Sequence, residues 1–137
     1  MSAVLTPSRT VAGAMVARPK VHRPTATVAE LRAFFRDDHV HMALLVEHGK
    51  LIGTVERADL ERNLGGATAA LSIAKLEGRT IAPGATLSDA RKAMKRDRRR
   101  RLAVTNTEGR LLGLLCLKAS GLGFCSDADV TSRTDPA

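Results

Sequence analysis

The chain of 137 residues has the length of one ordinary domain, and its 44% hydrophobic and 26% charged residues are typical of a folded protein. Its 22 lysines and arginines exceed its 14 aspartates and glutamates, which gives a net charge of +8 and favours anionic partners. The chain has no Trp or Tyr, so it lacks the stacking platforms that proteins use to bind single-stranded nucleic acid.

The chain has two cysteines, Cys116 and Cys125. Two are fewer than a disulfide-rich scaffold carries, and they lack the paired spacing of a zinc site. Reduced thiols in a cytoplasmic protein are the favoured interpretation, and a bridge between the two cysteines stays open. No stretch approaches the roughly 20 apolar residues of a membrane span, and residues 1–18 lack the pattern of a signal peptide. We expect a cytoplasmic protein without membrane contact.

Composition along the chain divides it into two similar units with polar ends. The predicted boundaries are a flexible N-terminus over 1–10, a first repeat over 11–66, a connector over 67–77, a second repeat over 78–125 and a flexible C-terminus over 126–137.

The first unit begins its main helix at Thr27, because Thr27 and Glu30 have the spacing of a capping box and an apolar stripe follows them. Two short apolar runs around Gly49 predict two strands joined by a turn. A short helix is then predicted over 57–64, ended by the glycines at 65–66.

The alanine-rich connector predicts a helix over 67–76. The second unit repeats the order of the first, with Thr86 and Asp89 at the start of its helix and a strand pair around the turn at 107–109. Gly121 and Gly123 make its last helix shorter or absent.

The two units are an internal repeat, in which Thr27 matches Thr86 and Asp38 matches Asp97 at a constant spacing. Each unit alone holds only about 60 residues and would be marginally stable. The strand runs do not alternate in hydropathy, so both faces of each sheet need cover. The prediction is an α/β (α+β) fold of two β-α-β-β-α repeats, packed through their sheets about a pseudo-twofold axis.

The segment at 44–59, with the sequence LLVEHGKLIGTVERAD, gives this repeat a family resemblance. It resembles the strand, glycine turn, strand and Thr/Ser-x-x-Asp ending of CBS (cystathionine-β-synthase-type) domains, and a degraded copy recurs in the second unit. The chain as a whole is similar to a tandem CBS pair, or Bateman module, of the standalone bacterial type.

The resemblance implies a regulatory module that binds AMP, ADP, ATP or S-adenosylmethionine in the groove between the halves. In the family, the aspartate of the ending holds both ribose hydroxyls, and Asp59 stands at that position. Glu56 replaces the preceding Thr or Ser and puts a negative charge near a phosphate, so we expect weak binding that favours a monophosphate. Ala119 stands at the aspartate position of the second copy, which has therefore lost its ribose acceptor.

The resemblance further implies that Arg79 and Thr80 border the base and that His41 approaches the phosphates. Arg100 and Arg101 belong by motif to the second cleft, which we expect to be empty or to hold only an anion. Arginine forks suit phosphate oxygens.

The densest charge cluster lies over 91–101 and has three interpretations: a solvated helix end, a phosphate contact, or a contact with nucleic acid or an acidic protein. It has no groove-reading motif, so nucleic acid is a disfavoured partner. His39 and His41 are two ligands at most, so a structural or phosphate-facing role is favoured over a metal site. No catalytic motif is present, and the chain is not expected to be an enzyme.

Two hypotheses follow: a non-catalytic sensor of an adenine nucleotide that acts on an unidentified protein, and a ligand-free dimeric basic scaffold that contacts an acidic protein or nucleic acid. A homodimer is expected in both, because standalone modules of this family usually pair through their helices. The first helix also has more apolar residues than one sheet needs, namely Val28, Leu31, Phe34 and Phe35.

Overall fold

The computed structural model describes residues 10–121 and 123–125. Its helices are α1 (Val11–Ala14), α2 (Val28–Phe34) and α3 (Leu87–Asp97), and its strands are β1 (Met42–Glu47), β2 (Lys50–Glu56), β3 (Thr80–Ile81), β4 (Arg101–Thr105) and β5 (Leu111–Cys116). Two 3₁₀ helices lie at Arg57–Glu61 and Ala70–Ile73. Every helix in this part of the chain is too short or too polar to cross a bilayer.

The first repeat is an antiparallel hairpin, β1–β2, covered on one face by α2. The predicted capping box is present: the Thr27 hydroxyl accepts the Glu30 N–H at 3.3 Å, and the Glu30 carboxylate accepts the Thr27 N–H at 3.3 Å. His48 and Gly49 take positive φ angles of 51° and 82°, so the chain reverses where the glycine was expected to turn it.

The second repeat has a three-stranded sheet in the order β3-β4-β5, with α3 on its outer face. Ile81 pairs in parallel with Val104, and 59 positions earlier His22 forms an equivalent parallel bridge with Leu45. The same strand contacts therefore recur in both halves, as the repeat predicted.

The two sheets pack face to face through a small shared core of Met42, Leu44, Leu51 and Ala103. Adjacent strand residues face opposite ways, so Ala43 and Leu45 point instead to α2. Val46 packs against this shared core, whereas Val104 and Leu112 belong to the outer core of the second repeat. The α/β (α+β) fold of two packed repeats is confirmed.

The N-terminal helix α1 packs on the second repeat although the first repeat follows it in sequence. Val11 is fully buried in the same cluster as Ala90 and Met94, and Val16 exchanges backbone hydrogen bonds with Leu114 on the outer edge of β5. This segment therefore closes the sheet edge of the second repeat and ties the two ends of the module together.

Three local predictions are wrong: the connector helix, the helix over 57–64 and the free cysteines. The connector is not a long helix, because only Ala70–Ile73 forms a single 3₁₀ turn and Lys75 instead makes backbone bonds to Thr54. The helix predicted over 57–64 is a 3₁₀ turn at Arg57–Glu61.

The cysteines are not free thiols: Cys116 and Cys125 form a disulfide. Residues after β5 turn back beside it, and the Cys125 N–H donates to the Cys116 carbonyl at 2.7 Å, which brings the two Cα atoms to 5.3 Å. That separation lies within the range a disulfide spans, and no cysteine spacing rule could have predicted the return of the chain.

Candidate functional site

Asp59 lies at the seam between the repeats, on the 3₁₀ turn that follows β2. Its carboxylate accepts the Glu56 N–H at 2.8 Å and caps that turn. Both of its oxygens also accept hydrogen bonds from Arg79, at 2.6 Å from Nη1 and 3.2 Å from Nη2. Only 8% of Asp59 and 5% of Arg79 is exposed, so the pair is a two-bond salt bridge in a nearly dry setting.

A second pair lies beside the first and also crosses between the repeats. Glu56 accepts from Arg99 Nε at 2.5 Å and from Arg99 Nη2 at 3.2 Å, and Arg79 Nη2 also lies 3.2 Å from Glu56 Oε1. Lys75 Nζ is 3.7 Å from Asp59 Oδ1. We call Glu56, Asp59, Lys75, Arg79 and Arg99 the seam cluster.

The seam cluster changes the ionisation of its members. Burial raises the pKa of Asp59. The hydrogen bonds from Arg79 and from the Glu56 backbone, with the charges of Arg79 and Lys75, lower it by more, so the pKa is below its usual value. The hydrogen bond to Glu56 raises the pKa of Arg99. Asp59 and Arg99 are therefore charged at neutral pH, and the cluster places two acidic side chains against three basic ones.

A separate cleft of about 440 Å³ contains most of the other predicted residues. We call it the basic cleft, and it is lined by Asp38, His39, His41, Arg100, Arg101, Lys118 and Ala119.

Backbone carbonyl groups hold the two arginine side chains of the basic cleft in position. Arg101 is buried and donates to the His39 carbonyl at 3.1 Å, and Arg100 Nε donates to the Leu117 carbonyl at 2.7 Å. Burial, with the charges of Arg101 and Arg100 next in importance, lowers the pKa of His41 to about 4. His41 is thus neutral at physiological pH.

The predicted site residues fall into two groups. Asp59 and Arg79 bind each other, whereas His41 lines the basic cleft with Arg100 and Arg101. Asp59 does not line the basic cleft. The approach of His41 to the phosphates of an Asp59-bound ligand stays a prediction.

Thr80 opens β3 and lines a third cleft, of about 320 Å³, together with Gly78 and Arg99. Arg99 bridges this cleft and the seam cluster, because its Nη1 also donates to the Gly78 carbonyl at 2.9 Å. Sequence reasoning missed Arg99 and Lys75. Arg99 is one of four consecutive arginines, so its position alone did not distinguish it. Its acidic partner, Glu56, lies in the other repeat.

The helix face expected to form a dimer is already used within the chain. Val28 and Leu31 are fully buried and Phe35 is 4% exposed, all against the sheet of the first repeat. Phe34 is partly buried and stacks edge-on to His22 at a centroid distance of 4.5 Å.

Within residues 10–121 and 123–125, His, Cys, Asp and Glu side chains form no group of three that could hold a metal ion.

Comparison with known proteins decides the family. The family model for the CBS domain matches residues 14–66 and again residues 79–119. The chain belongs to the CBS domain family. It carries two such domains in tandem, as the internal repeat predicted, and domains of this kind are generally regulatory rather than catalytic. Curated proteins include no match to it.

Solved CBS structures share the fold. The cystathionine beta-synthase pair domain of a protein described as a Mg²⁺ transporter in Shewanella oneidensis MR-1 is 28% identical, with a TM-score of 0.70 over 82% of this chain and 67% of that one. CBSX2 in complex with AMP is 19% identical, with a TM-score of 0.68 over 83% and 92%. The cytosolic domain of the Mg²⁺ channel MgtE in complex with ATP is 21% identical, with a TM-score of 0.66 over 80% of this chain and 46% of that one.

Proposed function

We propose that this CBS pair is a non-catalytic regulatory module that binds an adenine nucleotide, AMP in preference to ATP, with Asp59 as the acceptor of the ribose hydroxyls. The observation that carries the proposal is that Asp59 belongs to the first repeat and its main partner, Arg79, to the second. A ligand that takes Asp59 from Arg79 changes a contact between the repeats. Such a coupling converts ligand binding into a change that a partner protein can detect.

The chemistry of the seam cluster suits this ligand once the internal pair opens. A carboxylate accepts two hydroxyl donors, and the guanidinium group of Arg79 would then be available to a phosphate. Thr80 lies in the adjoining cleft, where the base would lie between aliphatic groups. Glu56 keeps one negative charge nearby, which disfavours a triphosphate. The AMP and ATP complexes of CBSX2 and MgtE support an adenine nucleotide as the ligand class.

Calorimetric titration with AMP and with 2′-deoxy-AMP tests the role of Asp59. The wild-type chain should bind 2′-deoxy-AMP about tenfold more weakly, the effect of losing one hydrogen bond to a charged acceptor. Asp59→Asn keeps the side-chain size and should bind both nucleotides weakly and equally. S-adenosylmethionine, titrated in parallel, reports whether a sulfonium nucleoside replaces AMP.

Equal binding of the two nucleotides by the wild-type chain would contradict the role of Asp59. Arg62→Ala serves as the control variant, because Arg62 is exposed and its removal lowers the net charge without touching the seam cluster. This variant should leave the ratio of the affinities for AMP and 2′-deoxy-AMP unchanged.

The second candidate function is a ligand-free basic scaffold for an acidic protein. The observation that favours it is that both Asp59 oxygens already have protein partners, so the ribose acceptor is filled. Under this alternative, neither AMP nor S-adenosylmethionine gives heat at millimolar concentration, and the +8 net charge supplies the attraction.

We propose that the module is a homodimer that regulates a separate protein. Because the apolar residues of α2 are buried within the chain, pairing would use exposed apolar side chains instead, of which Val21, Leu71 and Leu76 are 45%, 42% and 40% exposed. Light scattering at increasing concentration should give twice the monomer mass of 14.6 kDa. A constant monomer mass would contradict the dimer.

We also propose a cytoplasmic location, where adenine nucleotides are available as signals. Disulfides are uncommon there, so the bond between Cys116 and Cys125 would be a reversible one. Thiol alkylation in rapidly quenched cells, followed by mass spectrometry, should find both the reduced and the oxidised chain. A fully oxidised population would instead place the protein in an oxidising compartment.

A further inference from the structure

A third basic region lies at the end of α3 and shares Arg99 with the seam cluster. It is a cleft of about 260 Å³ between the last turn of α3 and the loop that follows β5. Its cationic lining consists of Lys95, Arg98, Arg99, Arg100 and Lys118, and no acidic side chain lines it. We call it the α3-end cleft.

The cleft exists because the second repeat has lost its last helix. In the first repeat, Leu60 and Leu64 fill the equivalent place and pack with Phe35. Arg32 fixes that turn by donating to the carbonyls of both leucines, at 3.4 Å and 3.0 Å.

The arginine of this arrangement is kept in the second repeat. Arg91, 59 positions after Arg32, donates from Nε to the Gly121 carbonyl at 2.6 Å. Residues 118–121 read Lys-Ala-Ser-Gly and have no large apolar side chain, whereas Phe124 packs with the cluster of Ala90 and Met94. The disulfide and the Lys118 N–H bond to the Gly123 carbonyl at 2.8 Å hold this loop open at a fixed position.

The charges in the cleft are only partly used by the fold. Arg99 pairs with Glu56, and Arg100 donates to the Leu117 carbonyl. Lys95, Arg98 and Lys118 are exposed and make no ion pair within residues 10–121 and 123–125. Three like charges beside two more raise the local positive potential, which an anion with several charges would relieve.

We propose that the α3-end cleft binds a compact oligophosphate anion. The cleft has no carboxylate that could hold ribose hydroxyls and no aromatic ring that could stack on a base, so the phosphate chain itself is the recognised group. Arginine forks and lysine ammonium groups are the side chains that bind phosphate oxygens in proteins. This site is separate from Asp59 and its occupation does not depend on the proposed AMP binding.

Calorimetric titration of the oxidised full chain with inorganic tripolyphosphate tests the proposal. Lys95→Ala and Arg98→Gly remove one charge each from residues that line this cleft and not the basic cleft. Glycine is chosen at position 98 because Arg98 has a φ of 56°, which glycine adopts without strain. Each variant should bind about fivefold more weakly, the factor that corresponds to roughly 1 kcal/mol at 25 °C.

Two controls separate this site from its alternatives. Arg62→Ala removes one exposed charge far along the sequence and should leave the affinity unchanged. His41→Ala alters the neighbouring basic cleft and should also leave it unchanged.

No measurable binding would overturn the proposal. So would an equal loss in Arg62→Ala, which would indicate a net-charge effect, or a loss in His41→Ala, which would move the anion to the basic cleft. A thermal melt of each variant checks that the fold is retained.

Discussion

At the scale of single residues, the buried pair of Asp59 and Arg79 is the feature on which most of the chemistry depends. A carboxylate and a guanidinium that are both almost dry stabilise each other, but each is costly if left alone. The pair therefore fixes the contact between the repeats. A ligand that competes for Asp59 must also supply enough binding free energy to break this ion pair.

Asp59→Ala should lower the free energy of unfolding by about 3 kcal/mol, because it leaves Arg79 buried with only Glu56 as an acidic partner. Urea unfolding measures the effect, and Arg62→Ala, at an exposed site, is the matched control.

The same pair predicts how the effect depends on pH. The folded pKa of Asp59 lies below its usual value of 3.8, so the stability that its charge supplies is present above that pH and is lost as the pH falls through the folded pKa. The difference between wild type and Asp59→Ala should therefore shrink below about pH 4. A difference that stays constant with pH would contradict the ionic role.

His41 should titrate far below an ordinary histidine. Burial and the charges of Arg101 and Arg100 lower its pKa from 6.5 to about 4, so the unfolded chain binds a proton in that interval and the folded chain does not. The free energy of unfolding is therefore unaffected by His41 above pH 6.5 and decreases as the pH falls from 6.5 toward 4. Histidine NMR signals followed against pH measure it directly.

His41→Gln should flatten the acid limb of the stability curve, because glutamine does not take up a proton on unfolding. A His41 signal that titrates near the ordinary value of 6.5 would contradict the prediction.

The position of Asp59 could be predicted from its place in the repeat, but its partner could not. The sequence places Glu56 and Asp59 three residues apart on one turn, and local spacing suffices for that. Arg79 and Arg99 reach them only through the packing of two repeats. The sequence therefore showed the negative charge of Glu56 but not its ion pair with Arg99.

At the scale of elements, the glycine of the second strand in each repeat marks a close backbone contact. A Cβ built on Gly113 would lie 2.6 Å from the Val16 carbonyl oxygen, and one built on Gly53 would lie 2.5 Å from the Ala74 Cβ. These matched glycines let a neighbouring segment of chain pack directly on the strand.

Gly113→Ala should lower the free energy of unfolding by about 1–3 kcal/mol, because the new methyl group displaces the segment around Val16 from β5. Thermal unfolding monitored by circular dichroism measures the loss. Gly84→Ala is the control, since a Cβ there meets nothing within 4 Å and should cost little or nothing. Equal melting temperatures for the two variants would contradict the close packing.

The elements that the sequence predicted correctly are those with local signals. The capping box at Thr27 and the turn at Gly49 depend on neighbours within a few residues, and both are present. The connector failed as a helix because tertiary contacts decided its conformation: Lys75 pairs with Thr54, and the Thr54 hydroxyl donates to the Lys75 carbonyl at 2.6 Å. Alanine content is a weak preference beside such contacts.

At the scale of the whole molecule, the two repeats share a core and form one structural unit. Met42, Leu44, Leu51 and Ala103 are each nearly or fully buried between the sheets, and the seam cluster lies beside the end of β2 that leads into Asp59. The N-terminal segment adds a third connection by closing the second sheet. Contacts of this kind make the repeats interdependent, so neither is expected to remain folded when the other unfolds.

Leu44→Ala should therefore destabilise both repeats together, by about 2–5 kcal/mol, although Leu44 belongs to the first. Amide hydrogen exchange can follow β1 and β4 separately in the same sample. Protection should decrease equally in the two strands, because both open only in the shared global transition. Arg62→Ala, at an exposed position outside the shared core, serves as the control and should change protection little in either strand. If β4 kept its protection while β1 lost it, the repeats would be separate folding units, and a ligand bound at the seam could not transmit its presence through the shared core.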